Sequence, residues 1–214
     1  MKSVLIIGMG KFGHHLCNDL VALGNDVMVI DRYEENVTDL ISKVTNLQIG
    51  DCTEPQVVKS LGVGNFDIVF VCIGTNFQSS LEITSLVKEM GAKYVISKAN
   101  RDVHSKFLLR NGADEVIYPD RDIAEKLARR CSANHVFDYI ELDEEYSIYE
   151  ILPLKEWIGS SIREVDFRNR YGINIIGVKK QDKTTILPPA DYVFCEDEHL
   201  MVIGQKANVE SILK

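Results

Sequence analysis

An apolar, β-branched run, Val4-Leu5-Ile6-Ile7, ends in Gly8-Met9-Gly10-Lys11-Phe12-Gly13, and few junctions restrict a fold so strongly. Glycines spaced G-x-G-x-x-G between a strand and a helix have separate steric jobs. Gly8 makes the tight turn, Gly10 lets a phosphate approach the backbone, and Gly13 allows close packing of helix on sheet. The free N–H groups and the positive end of the helix dipole then face the phosphate. Alone, the spacing also fits an ordinary glycine-rich turn. Here, however, Asp31 follows 23 residues after Gly8, at the end of Val29-Ile30-Asp31. A carboxylate at that place can accept bonds from both ribose hydroxyls and disfavours a 2′-phosphate.

The rest of the first half repeats the strand-then-helix grammar. Short apolar runs at Val4–Ile7, Val27–Ile30, Leu47–Ile49, Ile68–Ile73, Tyr94–Ser97 and Glu115–Ile117 read as parallel strands covered on both faces. Between them, Phe12–Leu23, Glu34–Val44, Pro55–Leu61, Asn76–Met90 and Val103–Asn111 read as helices, with Gly24, Gly62, Gly91 and Gly112 placed to stop four of them. The expectation is α/β: a Rossmann-like, doubly wound parallel sheet. Asp122–Ser132 reads as a further helix with Ile123, Leu127 and Arg130 on one stripe and a Glu125 to Arg129 pair at i,i+4. Having no strand left to cover, it is free to leave the domain and to offer a dimer surface.

From about Phe137 the pattern turns antiparallel. Strands are expected at Tyr146–Leu152, Ile173–Lys179, Thr184–Leu187 and Leu200–Gly204, and helices at Ile162–Tyr171 and Ala207–Leu213. Leu142-Asp143-Glu144-Glu145 reads as a polar bridge between the two grammars, and Pro188-Pro189 as a rigid loop. Residues 1–135 are therefore assigned to a nucleotide-binding Rossmann domain and 136–214 to a small α+β domain. A chain of 214 residues suits that division.

Charge and chemistry narrow the function classes. A net charge of −8, from 32 acidic and 24 basic residues, opposes non-specific attraction to nucleic acid or an anionic membrane. The five cysteines are scattered without a C-x-x-C pair, as reduced cytosolic thiols are. Apolar runs are strand-sized and no export signal precedes the first strand, so a soluble cytoplasmic chain is expected. His14, His15, His104, His135 and His199 show no His-carboxylate or Ser-His arrangement, and His199 has no obvious acid partner. No catalytic residue is assigned. The rival reading is an NAD-dependent oxidoreductase or redox-sensing Rossmann protein, although no helix-turn-helix precedes the first strand.

Within the rim of the expected sheet, Lys11 can reach a terminal phosphate or remain a solvated lysine. Arg32 can lie over an adenine or stay exposed. Asp51, in Gly50-Asp51-Cys52-Thr53, can accept from an adenine amino group, or it or Thr53 can cap the next helix. Gly74, Thr75 and Asn76 stand after the fourth strand, where a glycine lets backbone approach a ligand.

With these residues in place, the chain resembles the regulator-of-potassium-conductance (RCK) family, most of all the cytosolic gating subunits of Ktr and Trk potassium uptake systems. The likeness is carried by the glycine loop with Phe12, Val29-Ile30-Asp31, Asp51-Cys52-Thr53, Cys72-Ile73-Gly74-Thr75-Asn76, Ser97-Lys98-Ala99-Asn100, and Asn111-Gly112-Ala113-Asp114 leading to Tyr118-Pro119-Asp120. It extends through a C-terminal half similar to the small RCK-C (TrkA-C) domain. The resemblance implies homodimers in an octameric ring docked under a membrane potassium-translocating subunit, binding ATP or ADP in the Ktr branch and NAD or NADH in parts of the Trk branch. It places Phe12, Cys52 and Lys98 in the nucleotide site, with Lys11 where the Ktr branch has a phosphate-binding arginine. Asp120 stands where the family often has a glutamate near a divalent cation. Ile162, Asp166, Arg168, Asn174, Ile175 and Pro189 resemble positions that hold cyclic di-AMP between two RCK-C domains.

Overall fold

Burial on both faces requires β1 (Ser3–Ile7) to lie inside a sheet, and parallel strands β2 (Asp26–Asp31) and β4 (Ile68–Val71) flank it in register, Ile7 opposite Ile30 and Val71. The computed structural model describes residues 1–132, 136–181 and 183–213. With β3 (Asn46–Ile49), β5 (Val95–Lys98) and β6 (Glu115–Ile117), the strands run in the order β3-β2-β1-β4-β5-β6, all parallel. The chain steps outward from β1 in one direction and then, at β4, in the other. Ligands of such sheets bind outside the carboxyl ends of the strands at this reversal.

α1 (Lys11–Ala22), α2 (Pro55–Leu61), α3 (Phe77–Glu89) and α4 (Asp102–Arg110) connect the strands. One core packs Leu5, Ile7, Val69 and Val71 with Val58, Ile83 and Val87, and another packs Val4, Ile6, Val27 and Val29 with Cys17 and Leu40. Gly62 ends α2 in the left-handed conformation expected of a glycine stop, φ 60° and ψ 47°. A β-carbon on Gly13 would lie 2.3 Å from the Gly8 carbonyl oxygen, so α1 can pass this close to the loop only if the residue is glycine.

The expected helix Glu34–Val44 is instead two 3₁₀ turns, Glu34–Asn36 and Thr38–Leu40. Asn36 donates to the Asp31 carboxylate at 3.0 Å, and Val37 breaks the path at φ −130°. Weak helix formers there, Asn36, Val37, Thr38 and Asp39, yield to those anchors.

Compact units comprise Met1–Asp122 and Ile123–Lys214. α5 (Pro119–Ser132) covers the expected crossover helix, although the side chains of Arg129 and Arg130, along with His135 and the 135/136 domain division, lie outside the described residues. The second unit holds an antiparallel sheet of order β10-β9-β11-β8-β7, from β7 (Val136–Glu141), β8 (Tyr146–Ile151), β9 (Ile173–Lys180), β10 (Lys183–Ile186) and β11 (His199–Gln205). β7 was not among the expected strands. The supposed polar bridge is the hairpin turn between β7 and β8: Asp143 Oδ1 accepts the N–H groups of Glu145 and Tyr146 at 2.8 and 2.7 Å.

The expected helix Ile162–Tyr171 breaks into α6 (Ile162–Val165) and α7 (Phe167–Tyr171) at Asp166, which sits at φ 54°. α8 (Lys206–Ile212) completes the unit. Trp157, Phe167 and Phe194 pack edge to face in its core, with Ile151, Leu200 and Val202 from the sheet. His199 does have an acid partner. Its Nδ1 lies 2.6 Å from Glu150 Oε1, and Lys179 Nζ donates to the same oxygen at 3.0 Å. The three come from neighbouring strands far apart in sequence, a proximity only the register reveals.

Two substitutions test this reading. Gly13→Ala should destabilise the chain by about 1–3 kcal/mol through overpacking against the Gly8 carbonyl, read as a lowered thermal midpoint. Ser161→Ala removes a capping box in which the Ser161 hydroxyl accepts from Glu164 N–H and the Glu164 carboxylate accepts from Ser161 N–H, at a cost of about 1 kcal/mol at neutral pH. The Ser161 N–H and hydroxyl hold the Glu164 carboxyl below its ordinary value of 4.5. Its stabilising contribution is therefore present above that value and lost as pH falls through the folded one. Denaturant titrations should show the Ser161→Ala deficit narrowing below pH 4.5.

Candidate functional site

At the sheet reversal, the carboxyl ends of β1, β2, β4 and β5 open into a cavity of about 430 Å³. Its glycine loop is shaped by backbone demands. Gly8 has φ +95°, and a β-carbon there would press on Ile73 at 2.9 Å. A β-carbon on Gly10 would meet nothing within 4 Å, which leaves open space beside the backbone where a ligand atom can approach. Gly13 does not line the cavity; it seats α1 on the loop. α1 starts at Gly10 with no side-chain cap and no acidic residue in its first turn, so its first N–H groups and the helix dipole remain available to an anion.

Asp31 is the most connected group of the rim. Its Oδ2 accepts Met9 N–H at 2.6 Å, while its Oδ1 accepts Tyr33 N–H at 2.9 Å and the Asn36 amide at 3.0 Å. Arg32 lies with its guanidinium 4.6 Å from the Tyr33 ring centroid, and both line the cavity. Asp51 Oδ1 accepts the N–H and hydroxyl of Thr53 at 2.9 and 2.8 Å, closing a local turn. Neither residue caps α2, whose N-cap position is Glu54 without a side-chain bond. The two Thr53 bonds hold the Asp51 carboxyl below the usual range against the opposing effect of burial, with help from Arg32.

On the β4 and β5 side, Gly74, Asn76 and Lys98 join Lys11 and Phe12 in the wall. Lys98 Nζ stands 5.6 Å from the Phe12 ring centroid, and a β-carbon on Gly74 would come within 3.2 Å of it. Asn76 caps α3, its Oδ1 accepting Ser79 N–H at 3.1 Å. Asp120, in the first turn of α5, lines the same cavity. Among the described residues no group of three His, Cys, Asp or Glu side chains gathers as a metal cluster. Cys52 and Cys72 also line the cavity, and burial pushes both thiols up to about 12, helped at Cys52 by Asp51 and Asp31. They are protonated near neutrality and unreactive as nucleophiles.

Tyr33, Asn36, Ser79 and Asn100 line the cavity without having been singled out as ligands. Tyr33 and Asn100 lie two residues beyond strand ends, so proximity to the carboxyl rim was the available signal. None of the described histidines lines the cavity. His14 instead bonds the Gly10 carbonyl through Nδ1 and lies 3.3 Å from Asp39 through Nε2, a His-carboxylate contact formed across the 3₁₀ turns.

In the second unit Arg168 Nε donates to Asn174 Oδ1 at 3.1 Å. Asp166 accepts from Asn169 through both oxygens. Ile162 and Arg163 donate to the carbonyls of Tyr192 and Ala190, which draws the Pro189 loop alongside α6; Ile175 packs at the edge of the core.

A TrkA-N domain family model matches residues 4–119 and a TrkA-C domain model matches residues 147–214. The chain is 37% identical over 213 residues to the Ktr system potassium uptake protein C of Bacillus subtilis (strain 168), covering 100% of this chain and 96% of that one. It is 34% identical over 209 residues to the Ktr system potassium uptake protein A of the same organism, covering 98% and 94%. Among solved structures, a GsuK channel bound to NAD shares the fold with a TM-score of 0.68 at 21% identity, over 97% of this chain and 38% of that one. Both domains, in this order and over nearly the full length of the Ktr proteins, identify the chain as a member of the TrkA-N/TrkA-C (RCK) family of potassium uptake proteins.

Proposed function

We propose that the cavity binds an adenine nucleotide and that the protein is the regulatory subunit of a potassium-translocating membrane protein, gating it without performing chemistry. One observation carries the reading: an uncapped helix N-terminus opens between a ribose-type acceptor, Asp31, and the cations Lys11 and Lys98 in one cavity. Asp31 and Lys98 end strands three places apart, about 14 Å at ordinary strand spacing. A nucleoside with a chain of phosphates spans that distance. Two lysines favour ATP or ADP, whose terminal phosphate is unesterified, over a dinucleotide, while the NAD-bound GsuK structure supports the wider class.

Two features of the cavity support a reading without turnover. No described histidine reaches the cavity, and both thiols in its wall are protonated. Occupancy is then read as a change of conformation, and a ligand shifts such an equilibrium only by its differential affinity for two states, typically about 1–3 kcal/mol. Among the described residues no helix is long and apolar enough to cross a membrane, so action at the cytoplasmic face of a membrane passes through the partner subunit. Exposed Val103, Phe107 and Leu109 on α4, and Ile123 and Leu127 on α5, support pairing of copies of this chain into dimers and a ring. Asp120 is the side chain that would meet a divalent cation carried by the phosphates.

Calorimetry with ATP, ADP and NAD tests the proposal. Lys98→Ala should weaken ATP binding by about tenfold, the worth of one charge-assisted bond, and Asp31→Asn should weaken all three ligands. No hydrolysis or hydride transfer should accompany binding. Absence of heat with every adenine compound, or measurable turnover, overturns the reading.

A further inference from the structure

His104 is wholly buried in α4 and does not touch the cavity, yet it is the end of a chain of bonds that does. The Asn100 amide nitrogen donates to the Gly74 carbonyl, and Asn100 Oδ1 lies 3.1 Å from His104 Nδ1. Gly74 and Asn100 both line the cavity. The direction of the chain follows from the chemistry of its ends. A carbonyl oxygen can only accept, so Asn100 must turn its amide nitrogen to Gly74. Its carbonyl oxygen is then left facing the imidazole, and Nδ1 must carry the proton. Nε2 becomes the bare nitrogen, and it is buried with no hydrogen-bond partner among the described residues.

The second proton has no place there. An Nε2–H would be a buried donor without an acceptor, and burial, with the Arg101 charge beside it, holds the imidazole below its ordinary value. The ring is further held against Phe77, with centroids 5.0 Å apart at 59°. His104 therefore stays neutral, in one tautomer and one orientation.

We infer that His104 is a positioning residue for the nucleotide site: by orienting the Asn100 amide it keeps the Gly74 carbonyl engaged, so that this wall of the cavity does not turn an unpaired, electronegative oxygen toward a phosphate. The inference rests on the adenine-nucleotide reading of the cavity. It concerns no ligand contact of His104 itself.

A double-mutant cycle on the full chain, with ADP affinity measured by calorimetry, tests it. His104→Phe keeps a ring against Phe77 and removes the Nδ1 donor; it should weaken ADP about threefold to tenfold, the worth of one neutral hydrogen bond. His104→Asn returns an N–H near the position of Nδ1 and should restore affinity. Asn100→Ala, at an exposed position, should weaken ADP to a similar degree, and adding His104→Phe to it should cause no further loss. A packing role alone would instead give losses that multiply. Nitrogen-15 spectra of the free protein should show the Nδ1–H tautomer at His104.

Unchanged affinity in His104→Phe or Asn100→Ala, multiplying losses, or an Nε2–H tautomer overturns the inference. If His104→Phe does not fold, Asn100→Ala and the tautomer decide it alone. Wild-type protein that binds no adenine nucleotide overturns the nucleotide reading and this inference together; binding that the variants leave untouched overturns this inference only.

Discussion

The carboxylate of Asp31 holds together three pieces of chain that frame the cavity at the sheet's carboxyl rim. It accepts Met9 N–H from the glycine loop, Tyr33 N–H from the segment after β2, and the Asn36 amide from the first 3₁₀ turn. Bonds to a charged acceptor, largely removed from water, are stronger than neutral ones. The loop cannot drift from the end of β2 without leaving that acceptor short. An ionised carboxylate offers about four acceptor positions, and three are already used. In the proposed reading a ribose would share Asp31 with the scaffold, and the same residue would shape the cavity and meet the ligand.

Two of the helices that begin at the rim, α1 and α3, are treated differently by the chain. α3 is capped by Asn76, which satisfies Ser79 N–H, whereas α1 begins at Gly10 with no cap. Of these two, the end left open to an anion is that of α1, beside Gly10, where a β-carbon would find empty space. Lys98, lying over the Phe12 ring from the far side of β4, supplies positive charge toward the same place. Backbone polarity and side-chain charge thus converge on one part of the cavity, a combination suited to holding phosphate.

Much of this was legible in the sequence because it depends on local chemistry. Runs apolar on both faces suit a parallel sheet covered by helices, and Gly8, Gly13 and Gly62 report backbone paths that other residues would obstruct. The differences arose where side-chain bonding, backbone conformation or strand pairing overrode the local pattern. Glu34–Val44 has helical spacing, but Asn36 is drawn to Asp31 and Val37 is buried, and together they unwind it. β7 is six residues long, and its pairing with β8 makes it a strand. Asp166 takes a left-handed conformation that splits one expected helix in two. Glu150 reaches His199 because β8 and β11 are neighbours, which no spacing along the chain discloses. Asp51 was correctly placed at the rim, yet its bonds to Thr53 close a turn instead of capping α2.

Under the proposed function, the architecture of the rim offers a route by which binding would have an effect elsewhere. Its walls are the starts of helices: Asn76 opens α3, Asn100 stands just before α4, and Asp120 lies in the first turn of α5. A phosphate drawn toward Lys98 and the α1 terminus would lie beside the same short segments that set where α3 and α4 begin. α4 carries exposed Val103, Phe107 and Leu109 on its surface, and Phe107 packs edge to face against Phe77 at the start of α3. A packed aromatic contact of this kind resists gradual deformation, so in the proposed reading small displacements at the rim would be passed on as shifts of whole helices. A bias of about 1–3 kcal/mol between two arrangements of such a surface is enough to change their ratio by roughly 5- to 150-fold, and a ligand that contacts the rim differently in the two arrangements can supply it.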